Sequence, residues 1–239
     1  MRLRAGEPLY PPVPDPAAVD IFKYAPWFAW MWVPLTYLPK TLVGVGWSAV
    51  LVTASAAAIW PVIGRRPSAA SLAAGALLGS ILIWSAASGN VQPLLVAVLV
   101  WTVERRSGPL WIGAAASLKI FPLLYAVVYV GRREWLRAVA AAVAAFVLWA
   151  PVLFYDLANY QGGFGDSPSP FLAVHPVLYG AGLLIAVGVA LASAPTRHAW
   201  AAAATAVFVS LPRVSLIDLT HLCVAAAPWA GREWDRRAR

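Results

Sequence analysis

Apolar residues run through this chain in long blocks separated by short polar breaks. A helix needs about 20 apolar residues to cross a bilayer, and shorter apolar runs are more often re-entrant or interfacial. Four blocks reach that length, at 41–60, 68–87, 136–154 and 171–192. Others are shorter or broken, at 22–38, 92–103, 109–130, 199–211 and 216–229, and the run at 109–130 is split near Lys119 and Pro122. The pattern predicts an all-α, polytopic transmembrane helical bundle of about seven to nine hydrophobic segments, some of them short or broken. Connections are short. The exception is 155–170, whose glycines, prolines and serines favour irregular backbone. No internal repeat is visible.

Composition removes the soluble alternative. Of the 239 residues, 61% are hydrophobic and 12% charged, against about 45–50% and 25% in soluble domains. The net charge of +8 does not point to nucleic acid. Its arginines come in small clusters between apolar runs, at 65–66, 105–106, 132–137 and 232–239. That is the form of a positive-inside signal, whereas a nucleic-acid face concentrates basic residues on one surface. The single cysteine, Cys223, rules out an intrachain disulfide and lies in an apolar run as a small hydrophobe. The three histidines are far apart in sequence, so no metal-ligand spacing is present. The expected setting is the cell membrane, multi-pass.

The charge rule also orders the chain. With every arginine cluster in the cytoplasm, residues 1–21 form an external amino-terminal segment and 22–231 the transmembrane helical domain. Loop 155–170 is then external and 232–239 a basic cytoplasmic tail. The run at 109–130 must then dip in and return, and 22–38 must fail to cross. A competing path lets both cross and puts Arg65, Arg66, Arg105 and Arg106 outside. Both paths place 155–170 outside.

Few residues in such a chain could carry chemistry. Lys119 has no carboxylate within ten positions, and an ionisable group inside a bilayer costs about 2.5–3.5 kcal/mol on the lenient insertion scale. It is therefore a candidate for holding an anion, phosphate above all. The bland alternative is that its long stem carries the ammonium to an interface, with Pro122 supplying a helix end. Asn90 and Gln92 stand at the junction of two apolar runs. They read either as a tight turn ahead of Pro93 or as amides offered to sugar hydroxyls and phosphate oxygens. Asp218 and His221 are three apart and share a helix face, with Arg213 near the start of that segment. Either they form a structural hydrogen bond or they are the one local acid–base pair. Glu7, Asp15 and Asp20 precede the first apolar run, where a solvated loop residue is the plain reading. Trp27, Trp30 and Trp32 suit an interfacial belt or an apolar groove for a lipid chain.

Several patches together resemble glycosyltransferase family 87. They are "LRAGEPLY" (3–10), "FKYAPWFAWMWVPLTYLP" (22–39), "GNVQPLLVAVLVW" (89–101) and "GAAASLKIFPLLYAVVYVGRREW" (113–135). The family pattern has an aromatic-x-Tyr-Pro-Pro segment, here Phe22-Lys23-Tyr24-Ala25-Pro26, with Ala25 replacing one proline. It also has a Gly-Asn/Gln turn, here Gly89-Asn90-Val91-Gln92, and a Gly-rich helix ending at Leu118-Lys119-Ile120-Phe121-Pro122.

The resemblance implies a polytopic GT-C-like enzyme, a mannosyltransferase or other hexosyltransferase. It would move a hexose, mannose by analogy, from a polyprenyl-phosphate donor to a glycan or glycolipid acceptor outside the cytoplasm. Its implied partners are the polyprenyl-phosphate-linked sugar, the acceptor and the lipid bilayer, without nucleic acid. No cofactor and no metal is implied, the lipid-phosphate sugar being substrate. Lys119, Asn90, Gln92, Tyr24 and Arg213 are the expected substrate-binding residues. Asp20, Asp218 and His221 are the expected catalytic ones. Members of the family usually begin with a span and an external Asp upstream of the "LRAGEPLY" loop, so the expectation is a chain truncated at its amino terminus or a degenerate relative, inactive as given unless Asp15, Asp20 or Asp218 takes the place of that Asp. The alternative is a non-catalytic membrane protein that binds or carries a lipid-linked substrate.

Overall fold

The structure is a computed structural model, and it describes residues 5–10, 22, 24–157, 169–212 and 214–237. Among these every regular element is helical. Four helices are long and apolar enough to cross a membrane. The first, α2 (Lys40–Ile63), starts after Pro39 and stops at Gly64, whose φ of 72° and N–H to Trp60 O end the last turn. At 24 residues it is about 36 Å long. Before it lies the short α1 (Pro26–Trp32), which passes into a 3-10 turn at Pro34–Tyr37; at seven residues it is far too short to span. α3 (Ala69–Ala87) begins with a reciprocal cap in which the Ser68 hydroxyl accepts from Ser71 N and the Ser71 hydroxyl accepts from Ser68 N. α7 (Trp135–Trp149) continues as a 3-10 segment to Phe154. After the small α8 (Pro170–Val174), α9 (Pro176–Ser193) is the fourth long helix.

Shorter apolar helices fill the space between these four. α4 (Gln92–Thr102) and α5 (Gly108–Leu118) are joined by a polar turn at 103–107. Lys119 then adopts an extended conformation (φ −142°, ψ 118°) and ends α5. A 3-10 turn at Phe121–Tyr125, with Pro122 in its first turn, leads into α6 (Ala126–Gly131). The run from Gly108 to Gly131 comes back to the end from which it started: Tyr129 donates its hydroxyl to Val103 O at 2.6 Å. Both ends of this run therefore lie at the same end of the bundle. The close fit depends on small residues. A Cβ at Gly108 would stand 2.5 Å from the Tyr129 hydroxyl, and one at Gly113 would stand 2.5 Å from Ala144 Cβ of α7. α10 (Ala199–Ser210) packs beside α9. An eleven-residue 3-10 segment, Leu216–Ala226, then feeds α11 (Ala227–Arg237).

The core sits where α4, α5, α10 and the 3-10 segment meet. Leu82, Leu99, Ile112, Tyr125 and Trp200 are fully enclosed there. The outer faces invert the usual rule. Phe146 is 70% exposed on α7 and Leu184 75% on α9, and contiguous exposed apolar surface of this kind marks a membrane-facing wall. The chain is an all-α polytopic helical protein.

Contacts divide the bundle into two ends. At one end, Glu104 takes both outer nitrogens of Arg132 at 3.1 Å and also the Trp200 indole N–H. Arg132 Nε donates to Ala194 O at 2.8 Å. Arg137 donates to Arg105 O at 2.6 Å and to Glu134 at 2.7 Å, its guanidinium 4.1 Å from the Tyr129 ring. The connections at 103–107, 132–137 and 194–198 are thereby tied together. At the opposite end lie α1, the turn 88–91, the break at Lys119 and the start of the 3-10 segment.

Candidate functional site

The site is assembled at that second end by local sequence features. Gly89 takes a φ of 70°, which turns the chain out of α3 and suits the one residue without a Cβ. The Asn90 side chain then accepts from Gln92 N at 3.0 Å, and Pro93 occupies the first turn of α4. Asn90 is thus a turn former, and the same turn fixes Gln92 at the head of α4. Gln92 is fully buried, so each of its amide atoms needs a partner. Its Oε1 accepts from Lys119 Nζ at 2.8 Å and its Nε2 donates to Thr220 Oγ1 at 3.1 Å. Thr220 in turn donates to Ile217 O at 2.6 Å. Side chains separated by 27 and 128 positions become one polar chain.

Lys119 reaches this place because the helix stops. A residue in mid-helix would have its stem laid along the preceding turn, whereas the extended backbone at Lys119 releases the stem toward α4. The ammonium is bonded to a neutral amide. Among the described residues no carboxylate forms an ion pair with it. Asp218 is the carboxylate whose charge acts on it from a distance, and the ammonium in turn acts on His221.

Asp218 and His221 share the 3-10 segment but have different partners. Asp218 Oδ2 accepts from Ser215 N at 2.9 Å, which makes it a capping residue. His221 is 1% exposed and its Nδ1 meets the Tyr125 hydroxyl at 3.2 Å. That hydroxyl also lies 3.3 Å from His221 O. The acid–base pairing suggested by their spacing is therefore replaced, for His221, by a tyrosine from the turn that follows α5. Close by, Trp27 of α1 donates its indole N–H to Ser117 Oγ at 3.0 Å, which pins α1 over the end of α5. Tyr24 stands further along that segment, its ring edge-on to Phe22 and Phe28 and its carbonyl accepting from Tyr10 at 2.9 Å. Asp20 and Arg213 lie outside the described residues, as does Asp15.

The structure therefore brings Lys119, Gln92 and the Asp218–His221 segment together, and sets Tyr24 and Asn90 to neighbouring structural tasks. Three participants escaped the sequence: Tyr125, Thr220 and Ser117. Tyr125 had a faint signal in its place three residues past Pro122. Thr220 and Ser117 had none, since isolated hydroxyls are ordinary in apolar helices.

Among the described residues such an arrangement offers one cation, a carboxylate at a distance and a set of neutral hydrogen-bonding groups. It suits an anionic ligand with hydroxyl substituents. The model of glycosyltransferase family 87 matches residues 22–169, well over half of the chain. The chain belongs to glycosyltransferase family 87. The matched region holds Lys119, Gln92, Asn90 and Tyr24, and ends before Asp218 and His221. No curated protein and no solved structure gave a match. A family 87 chain with four long apolar helices is a membrane glycosyltransferase in general character.

Proposed function

We propose that this protein transfers a hexose, mannose by family analogy, from a polyprenyl-phosphate donor to a glycan or glycolipid acceptor on the non-cytoplasmic side. The observation that carries the reading is the Lys119 ammonium, set at a helix break and held by Gln92 without a carboxylate of its own. The arginine-rich end then faces the cytoplasm and the Lys119 end faces outward, as a GT-C-like enzyme requires. The chain crosses the cell membrane several times, with 155–170 as an external loop.

In the proposed reaction an acceptor hydroxyl oxygen attacks the anomeric carbon while the bond from that carbon to the phosphate oxygen breaks. The electron pair leaves with polyprenyl phosphate, and Lys119 balances the charge that develops there. The acceptor proton passes to a carboxylate within hydrogen-bond reach, supplied by Asp20 or Asp218. His221, oriented by Tyr125, lines the same wall, and Arg213 adds a second cation for the phosphate. Gln92 holds Lys119 in place, and Asn90 and Tyr24 support the turn and the aromatic wall around it. The lipid phosphate is substrate, and the scheme needs neither metal nor cofactor.

Reconstitution with a radiolabelled polyprenyl-phosphate sugar tests this. Lys119→Met is expected to lower transfer by about 100- to 1,000-fold, the size found when one preorganised oxyanion contact is removed, with the fold intact. Asp20→Asn and Asp218→Asn separate the two candidates for the base. Undiminished transfer in Lys119→Met removes the phosphate role, and donor binding without transfer in every variant favours a binding or carrier protein.

A further inference from the structure

The end opposite the site carries an excess of positive charge. The connections at 64–66, 103–107, 132–137 and 194–198, with 231–232, hold nine arginines and two glutamates. Contacts between them bring all five together. Glu104 binds Arg132 and Trp200, and a Cβ at Gly231 would lie 3.7 Å from Glu104 Cβ. A Cβ at Gly64 would lie 3.9 Å from the indole nitrogen of Trp229. Both glutamates are already engaged, Glu104 by Arg132 and Glu134 by Arg137. Arg66, Arg106, Arg133, Arg197 and Arg232 are exposed around that knot.

Tryptophans mark the depth at which this end would sit. Trp60 lies one turn from the end of α2, Trp111 one turn into α5, and Trp135 begins α7. They are 48%, 44% and 59% exposed. Indoles at helix ends that point outward beside basic residues occupy the headgroup level of a bilayer. The surface is thus a ring of guanidinium groups just beyond a girdle of indoles. Charge complementarity selects what lies against it, and guanidinium groups pair well with phosphate oxygens.

We infer that this end docks on the anionic phospholipid headgroups of the leaflet it faces, and that those lipids are retained as bound partners. The surface does not depend on sugar transfer, so it stands or falls separately from the proposed reaction. Its ligand is the phosphodiester of a lipid with net negative charge, held in the membrane plane.

The test uses the full chain in nanodiscs of phosphatidylcholine alone or of phosphatidylcholine with phosphatidylglycerol. Bound lipid is counted by native mass spectrometry and stability is followed by thermal unfolding. Wild type is expected to retain phosphatidylglycerol selectively, to unfold at higher temperature in its presence, and to lose both effects as salt rises. Replacing Arg66, Arg106, Arg133 and Arg197 by Gln is expected to weaken retention by about fivefold per arginine, several hundredfold in all. The same four changed to Lys should keep most of it, and this second variant separates lost charge from lost fold. Equal retention of the two lipids by wild type overturns the inference, as does undiminished selectivity in the glutamine variant. Stabilisation in phosphatidylcholine by soluble glycerol phosphate, or displacement of the lipid by an oligonucleotide, would assign the surface to another anion and overturn it too.

Discussion

Glu104→Gln is the sharpest probe of how the hairpin from Gly108 to Gly131 is held. The substitution keeps the shape of the side chain and removes its charge. Glu104 accepts twice from Arg132 at 3.1 Å and once from the Trp200 indole. The pair is only partly buried, at 21% and 28% exposure. Breaking a fully buried pair costs about 3–5 kcal/mol, whereas an exposed pair contributes about 0–1 kcal/mol. The intermediate exposure and bidentate geometry place the loss at about 2–3 kcal/mol. Acid should reproduce the same loss in the wild type. Burial alone pushes the Glu104 carboxyl up, but Arg132 and Trp200, with the nearby Arg137 charge, more than offset it and hold the group below its ordinary value. A carboxyl depressed in the folded state stabilises the fold above its unfolded pKa. That contribution fades as pH falls through the carboxylate range toward the depressed value. Tryptophan-fluorescence unfolding in detergent, repeated from neutral to acid pH, measures both effects. Wild type should lose stability in that acid window, and Glu104→Gln should start several degrees lower with a flatter acid profile. An unchanged midpoint and an unchanged acid profile in Glu104→Gln would refute the clamp.

Two other substitutions separate packing from polar support. Gly113→Ala puts a Cβ 2.5 Å from Ala144 Cβ and 2.8 Å from Ala141 O. Overpacking should cost about 1–3 kcal/mol, more than alanine's helix-forming advantage, whereas Gly180→Ala, with nothing within 4 Å, should be neutral or mildly stabilising in the same unfolding assay. Gln92→Leu leaves Lys119 and Thr220 without their bridging amide, at an expected cost of about 1.5–3 kcal/mol for the bond to the charged group. A double-mutant cycle with Lys119→Met should show strong non-additivity, and simple additivity would dissolve the link between them.

The elements that could be read from the sequence are those that obey one local rule. Long apolar runs gave the four long helices to within a few residues. Pro122 beside Lys119 marked the break in 109–130, and the arginine clusters marked the turns that share an end. The partners of side chains were not legible. Nothing near Asp218 or His221 indicates that one caps Ser215 while the other meets Tyr125, 96 positions away. Glu104 drew no attention because a glutamate beside two arginines reads as a solvated turn. Its actual partners, Arg132 and Trp200, are set by how α4, α6 and α10 come together. Asn90 and Gln92 show the same division, since local turn chemistry fixed the first and a contact 128 positions distant fixed the second.

The two ends of the bundle handle charge in opposite ways, and the contrast bears on what each is for. At the arginine end Glu104 and Glu134 are both drawn into ion pairs and so serve the architecture. At the other end a lysine pays its desolvation with a neutral amide. A carboxylate in direct contact would have stabilised the ammonium more strongly, but it would also have neutralised it toward any ligand. Gln92 satisfies one N–H of Lys119 and leaves the positive charge uncancelled, while Thr220 satisfies Gln92. The break in the helix has the same consequence, because an extended residue 119 sends its stem into the bundle instead of along it. A cation supported by neutral groups at a chain reversal is an expensive feature for a fold and a suitable one for holding phosphate.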